Sequence, residues 1–391
     1  MSRIPRLLTA LVLVFGAADA GQASAQSALV TQGLGMPVEP MDARSRGLGG
    51  VAIGLSDGEL SWASPGGLFG LPAPAMVASY QYDQFQTKGV DPETTGSTAR
   101  VPFLLGAFPA SSRIVLYAGF GSFLDQNWSV ESADTIAFDD QTIPVLDVSS
   151  SSGGVTRVRF GATYLIREGL ALGGGMDLFT GGVDRLQGRM FSSQAPVCCS
   201  SSWNYRGKGF TGGVHWSPSA ASGVAISASF GGTLEAHPEN DGAEVREYDL
   251  PLMLRGGVSG RVGQNSLVAL SASWDGWSSL DGTVGMEGTT RDAWSVNGGL
   301  EWDGFSIVGR PLPLRIGART GALPFRWDRN GSAGGGDWAG ERAITGGAGL
   351  ALGGGTVRAD VSVERGKRNG GSSGFEESFW RAGFSIRVLG R

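Results

Sequence analysis

Few residues in this chain are equipped for catalysis. Histidine occurs only at His215 and His237, and cysteine only as the adjacent pair Cys198 and Cys199. Two histidines and two neighbouring thiols make no usual zinc spacing, so no metal and no cofactor is expected. A bridge between adjacent cysteines is strained and closes no useful loop, so no disulfide framework is expected either. A serine hydrolase of an outer-membrane kind needs a histidine and a serine at matched height on neighbouring strands. His215 with Ser227 or Ser229 is the available combination. A lone histidine is more often a space filler, and the chain is read as not an enzyme.

Arginine is the more informative residue. Side-chain alternation puts Arg157, Arg159, Arg255, Arg315, Arg319, Arg358, Arg381 and Arg387 on the polar faces of their segments, with Asp177, Asp249, Asp360 and Glu364. A guanidinium fork suits a ligand carboxylate, which makes Arg157 and Arg159 candidate ligand contacts. The other reading is an internal lattice in which these charges pair with one another. A net charge of −5 with no basic stripe gives no reason to expect nucleic acid.

The elements that carry these residues are strands. Arg3 and Arg6 precede an apolar run from Leu7 to Ala18, and Ala23-Ser24-Ala25 offers a small-x-small cleavage site. This reads as a signal peptide over 1–25, too short and wrongly flanked for a membrane anchor. Glycine is 66 of 391 residues and charged residues are 17%, without the triplet period of collagen or the high net charge of a disordered chain. Alternation recurs to the C-terminus. In Thr156 to Ile166, Val158, Phe160, Ala162, Tyr164 and Ile166 share one face and Arg157, Arg159, Gly161 and Thr163 the other. Val357 to Arg365 and Trp380 to Val388 behave alike.

About fourteen strands are expected, an even number typical of bacterial single-chain barrels. They fall near 74–85, 99–108, 112–124, 154–166, 169–181, 203–217, 223–235, 244–259, 265–276, 291–303, 313–323, 341–352, 355–366 and 377–389. Short connections alternate with long ones at 86–98, 125–153, 182–202, 236–243, 277–290, 324–340 and 367–376, while 304–312 is a longer member of the short set. Short periplasmic turns and long external loops are the outer-membrane pattern, and only a closed barrel satisfies its backbone in lipid. The expected fold class is therefore all-β, a transmembrane antiparallel β-barrel over 73–391 in the cell outer membrane. Residues 26–72 break the strand rhythm, and form either a periplasmic tail or a lumen plug. In the 125–153 loop, Trp128 and Phe138 are apolar residues that could catch a greasy ligand or pack onto the rim. Arg381-x-Gly383-x-x-Ile386-x-Val388 is similar to a barrel-assembly signal, but the chain runs on to Arg391 without a closing aromatic residue.

Three stretches resemble the FadL/TodX family of outer-membrane transporters of long-chain fatty acids and hydrophobic compounds. The first is Ala43 to Glu59 followed by Ser64-Pro65-Gly66-Gly67-Leu68, with Ser64 and Gly66 where the family has Asn and Ala. The second runs from Leu250-Pro251 to Trp274-Asp275-Gly276-Trp277-Ser278. The third runs from Asp292-Ala293-Trp294 through Gly299-Leu300-Glu301-Trp302 to Leu323-Pro324-Phe325. PorV-type barrels of secretion systems share much of this pattern. The resemblance implies a fourteen-stranded barrel with an N-terminal hatch carrying Gly49, Gly50, Asp57, Ser64, Pro65 and Gly66. It implies capture of a hydrophobic small molecule at external loops, transfer into the lumen and release past the hatch. Gly119 and Gly121 in the third strand are candidates for a bend that would resemble the family's lateral opening. The expected partners are a hydrophobic ligand, outer-membrane lipid, and the barrel-assembly machinery through the last strand, with the barrel a monomer. A structural or docking barrel that binds an exported protein or surface component is the alternative, and a non-selective porin a third.

Overall fold

A computed structural model describes residues 27–31, 33–56, 60–88, 94–138, 141–191, 197–239, 244–283, 288–307, 309–327, 337–370 and 376–390. The expected signal peptide over 1–25 and the hatch residue Asp57 lie outside the described residues. The chain forms a closed antiparallel barrel of 14 strands. In chain order these are β1 (Ala75–Lys88), β2 (Thr94–Pro109), β3 (Ile114–Asp125), β4 (Gln141–Arg167), β5 (Leu170–Phe191), β6 (Val197–Ser219) and β7 (Ser222–Pro238). β8 comprises Arg246–Asp249 and Met253–Val262, followed by β9 (Ser266–Asp275), β10 (Ala293–Trp302), β11 (Leu314–Trp327), β12 (Asp337–Leu352), β13 (Val357–Asn369) and β14 (Glu376–Leu389). Each pairs with its sequence neighbours, and β14 closes onto β1 from Glu376↔Lys88 to Leu389↔Ala75. The wall closes around its circumference, as a span through lipid requires, but the β2–β3 ladder stops at Phe103↔Gly121, and beyond it Leu124 and Asp125 of β3 pair with Pro37 and Met36 of the N-terminal segment. The outer-membrane setting follows from this closure and from the apolar side chains that stand on the outer face.

Alternation puts the two faces where the sequence implies. In β1, Val77, Ser79, Gln81, Asp83 and Phe85 are buried in the lumen, while Met76 and Tyr82 are exposed on the outer wall. Among the described residues no helix is long and apolar enough to cross a membrane.

Three expectations are corrected. The 125–153 region is not a loop: β3 resumes as Trp128–Phe138 and pairs with the first part of β4, from Trp128↔Ser151 to Phe138↔Gln141. β5 and β6 likewise extend to Phe191 and back to Val197, deep into the expected 182–202 loop. These extensions are serine-rich and stand beyond the apolar band, so they need no lipid-facing alternation and carry little strand signal. The 304–312 turn holds a two-residue hairpin, Ser306–Ile307 with Arg310–Pro311. The third correction is Asp249, which is exposed and not in the lumen. Met253, Gly257 and Ser259 face inward, but so do Tyr248 and Leu250, so the parity flips across Pro251. Gly231 and Gly232 sit opposite that break, β7 flips with β8, and β6 shifts register against β7 between Gly207 and Gly209. A one-residue slip reverses every side chain beyond it.

Candidate functional site

The lumen is occupied by the chain's own N-terminal segment, described over residues 27–31, 33–56 and 60–74. Its α-helix, α1 (Ala43–Gly47), is capped by the Asp42 carboxylate, which accepts from the Ser45 amide. The segment touches the wall at several places where the wall has no side chain. Leu48 and Gly49 lie on Gly299 and Gly317, Ile53 and Gly54 on Gly257 and Gly223, and Pro65 and Gly66 on Gly173 and Gly213. Gly49 has φ +77°, and a Cβ there would stand 2.4 Å from the Gly298 carbonyl oxygen. Left-handed backbone and close approach both demand glycine at that point. Polar contacts fix the same path. The Gly49 amide donates to Thr345 Oγ1 (3.0 Å), Ser259 Oγ to the Gly54 carbonyl (2.8 Å) and Ser227 Oγ to the Ala63 carbonyl (2.7 Å). Thr163 Oγ1 donates to the Pro65 carbonyl (2.5 Å).

Around this segment the interior is layered. At the short-turn end an apolar floor joins Leu60, Trp62 and Leu68 to Val77, Phe103 and Leu105. Above it lies a charged layer. Arg381 grips Asp83 (Nε–Oδ1 2.7 Å), Arg319 bridges Glu364 and Glu341 (2.5 and 2.6 Å), and Arg368 bridges Glu341 and Glu377 (2.5 and 2.7 Å). The N-terminal segment joins in: Arg44 binds Glu301 at 2.8 Å, Arg46 reaches Glu364 at 3.8 Å, and Ser27 Oγ donates to Glu377 at 2.9 Å. Arg315 holds Glu301 and Asp360. A cavity of about 140 Å³ lies in this layer, lined by Asp83, Asp125, Glu341, Arg319, Arg368 and Arg381 among others. At the long-loop end an apolar roof closes the lumen, with Phe123, Phe179, Leu250, Met253, Trp277 and Phe325 at its centre. Phe123 packs on Phe179 at 4.9 Å and on Trp277 at 6.2 Å between centroids.

Arg157 and Arg159 lie where charged layer, floor and roof meet, and they differ. Arg159 is saturated: it binds Asp177 through Nε (2.6 Å) and Nη2 (3.0 Å), Thr211 Oγ1 (2.7 Å) and the Trp62 carbonyl (2.8 Å). Arg157 is 6% exposed, yet its ion pair is a 4.0 Å approach to Asp177 and its Nε has no hydrogen-bond partner. It lies over the rings of Trp62 and Phe123, at 5.3 and 5.6 Å from their centroids. Arg157 borders two small spaces. One, of about 40 Å³, is shared with Arg159, Arg255, Glu39 and Ser271, room for water or a carboxylate. The other, of about 10 Å³, runs between Phe179 and Met253 to Phe230, Gly231 and Pro251 at the β7–β8 break.

No protein-family model and no curated protein matches the sequence. The structure is similar to that of a Pseudomonas aeruginosa FadL homologue, at 12% identity over 90% of this chain and 98% of that one, with a TM-score of 0.60. It is similar to the Ralstonia pickettii toluene transporter TbuX, at 14% identity over 90% and 99%, with a TM-score of 0.60. The CymD monoaromatic hydrocarbon channel aligns at 15% identity over 93% and 99%, with a TM-score of 0.56. The chain has the FadL/TodX barrel fold. At these identities the likeness is one of architecture.

The residues singled out from sequence fall in this FadL/TodX-type barrel as follows. Gly49, Gly50, Ser64, Pro65 and Gly66 all belong to the buried N-terminal segment. Trp128 is half-buried at the base of the β3–β4 extension; the side chain of Phe138 lies outside the described residues. Gly119 and Gly121 pair with both neighbours, but Gly121↔Phe103 is the last pair of the β2–β3 ladder, and the bulge of β3 follows between Ser122 and Leu124. A Cβ on Gly121 would meet Pro40 and Trp62 of the N-terminal segment. Ser and His are not brought together as a catalytic pair: Ser227 is bonded to Ala63, Ser229 to Thr211, and His215 Nε2 to Ser217 Oγ at 3.1 Å. His215 packs against Phe69 of the segment with ring centroids 5.3 Å apart and the rings tilted. Cys198 and Cys199 are free and exposed.

One loop at the long-loop end is fastened by a carboxylate. Asp281 accepts from the amides of Gly288 (2.8 Å), Thr289 (3.0 Å) and Thr290 (3.2 Å). These amide bonds, Gly288 first, hold its pKa below the usual carboxylate value. The latch keeps the Trp277–Leu280 turn seated, and with it Trp277 in the roof.

Proposed function

We propose that this protein is an outer-membrane channel for hydrophobic small molecules, in which residues 27–72 act as the hatch. The single observation that carries the reading is the layered lumen: an apolar roof over a filled barrel, with the under-paired Arg157 on its underside. A wholly polar lumen would argue for a water-filled pore. The similar structures carry names of the same class, a toluene transporter and a monoaromatic hydrocarbon channel. Arg157 favours a ligand that adds an anionic head to its apolar body, such as a long-chain fatty acid, since a charged hydrogen bond would satisfy its idle Nε. For release towards lipid there are two candidate seams, the β7–β8 break at Gly231–Gly232 and Leu250–Leu252, and the place beyond Gly121 where the β2–β3 ladder ends.

The test is to purify the barrel from native membranes and identify co-purifying small molecules by mass spectrometry. A bound apolar or amphiphilic compound is expected, and its absence from repeated preparations would count against the channel. Deleting residues 27–72 is expected to convert a non-conducting barrel to an open pore in planar bilayers; conductance equal to that of the intact chain would refute the hatch. A docking barrel has one observation in its favour. The strand extensions beyond the membrane expose Val130, Leu186, Met190 and Val197. A stoichiometric protein partner in the same purification, with no small molecule, would support that reading.

A further inference from the structure

The outer face of β10–β14 is not the even apolar band of the rest of the wall. Three strands there carry minimal side chains on the lipid side: Gly298 and Ala318 are paired in register, and Gly346 lies opposite Ile316. Ile316 and Ile344 stand proud beside them, 64% and 67% exposed. The result is a groove of about 770 Å³ with an almost wholly apolar lining, which includes Leu300 and Val363 and ends at Arg365 and Trp380.

Above the groove, towards the long loops, the same face turns basic. Arg342 and Lys367 face each other in register on β12 and β13, and Arg365 is the next outward residue of β13. The Arg365 guanidinium lies 5.0 Å over the Trp380 ring. Lys88 follows on β1, and among the described residues Glu376 answers this group by pairing with Lys367 at 2.7 Å. Among the described residues Arg342 has no ion pair. A lipid-facing cation is costly at the bilayer midplane but nearly free at the interface, and tryptophan marks that interface. Cations above an apolar recess are complementary to one class of molecule.

We propose that this face binds a phosphorylated, acylated lipid of the outer leaflet. Its acyl chains lie in the groove over Gly298, Ala318 and Gly346, and its phosphate is held by Arg342, Arg365 and Lys367. The site is on the outside of the wall and is independent of what passes through the lumen. It gives the barrel a fixed lipid on its β10–β14 side.

The experiment is lipid mass spectrometry on the full-length barrel purified in mild detergent, with the heat-modifiable mobility of the folded barrel as the control for integrity. The intact protein is expected to retain a phosphorylated acyl lipid through extended washing. The triple variant Arg342→Gln, Arg365→Gln, Lys367→Gln is expected to retain at least about tenfold less, since each cation near an anionic surface contributes on the order of 1 kcal/mol. Gly346→Leu, which fills the groove on an open outward position, is expected to lower retention while leaving the cations in place. Equal retention by the triple variant and the intact protein, or no phosphorylated lipid on the intact protein, would overturn the proposal.

Discussion

Arg381 and Arg157 are both buried guanidiniums inside one barrel, and their surroundings are opposite. Arg381 has Asp83 at 2.7 Å and Glu364 at 3.5 Å, within a continuous set of pairs that runs through Arg319, Glu341, Arg368 and Glu377. Arg157 has aromatic faces, a carboxylate at 4.0 Å, and an idle Nε. The first environment welds β1, β11, β12, β13 and β14 to the N-terminal segment. The second leaves a charge in reserve at the meeting of three layers. A buried charge with full pairing is framework, whereas one with partial pairing is a place where a ligand can still gain energy.

The comparison can be broken most forcefully on the framework side. Glu364 accepts from Arg319 and lies near Arg381 and Arg46. Glu364→Ala would leave those guanidiniums short of a carboxylate, and removal of one buried partner typically costs about 3–5 kcal/mol. The expected outcome is a clear drop in the denaturant midpoint of the barrel folded in lipid vesicles. An unchanged midpoint would mean that the lattice contributes little. Arg157→Met makes the contrasting case. Asp177 keeps Arg159 and Thr211, so stability is expected to stay within about 1 kcal/mol. Binding of an anionic amphiphile, followed by quenching of intrinsic tryptophan fluorescence, should weaken by roughly tenfold or more, the worth of about 1.5–3 kcal/mol for a charged hydrogen bond. Equal loss of stability in the two variants would erase the distinction.

The two regions were also unequally legible in the sequence. Alternation alone placed Arg157, Arg159, Arg315 and Arg381 in the lumen, because each lies in a long strand with one unbroken parity. Their partners Asp83, Glu301, Glu341 and Glu377 were missed, although Asp83 shares the parity of Val77, Ser79 and Gln81 and Glu301 falls within a strand of the same kind. The strand count survived for the same reason. Asp249 was misplaced because parity reverses at Pro251, and a reversal shows only when the opposing strand is known. Gly231-Gly232 opposite Leu250-Pro251-Leu252 was the available signal, hidden in a chain where glycine is common. The state of Arg157 had no local signal at all. It depends on Trp62, ninety-five positions away by the numbering, and on the claim that Arg159 makes on Asp177.

The roof offers the finest test of whether the Arg157 region is poised and the Arg381 region fixed. Asp281 holds the amides of Gly288, Thr289 and Thr290 in its ionised form, and its pKa in the folded protein is depressed. A depressed carboxylate stabilises its fold above the unfolded pKa, about 3.9 for Asp, and the contribution fades as pH falls through the folded value. The latch is therefore intact at neutral pH and should open only in acid. Hydrogen exchange at the three amides, compared with that of β13 amides beside Glu364, is the measurement. Protection in the loop is expected to fall first on acidification, with β13 still closed, and Asp281→Asn should show the open-loop exchange already at pH 7. Because Trp277 hangs from this loop into the roof, the same variant is expected to shift the tryptophan signal slightly and to leave the charged layer untouched. Simultaneous loss of protection in loop and strand would mean that roof and framework are a single cooperative unit, and that the contrast between Arg157 and Arg381 is local to their side chains.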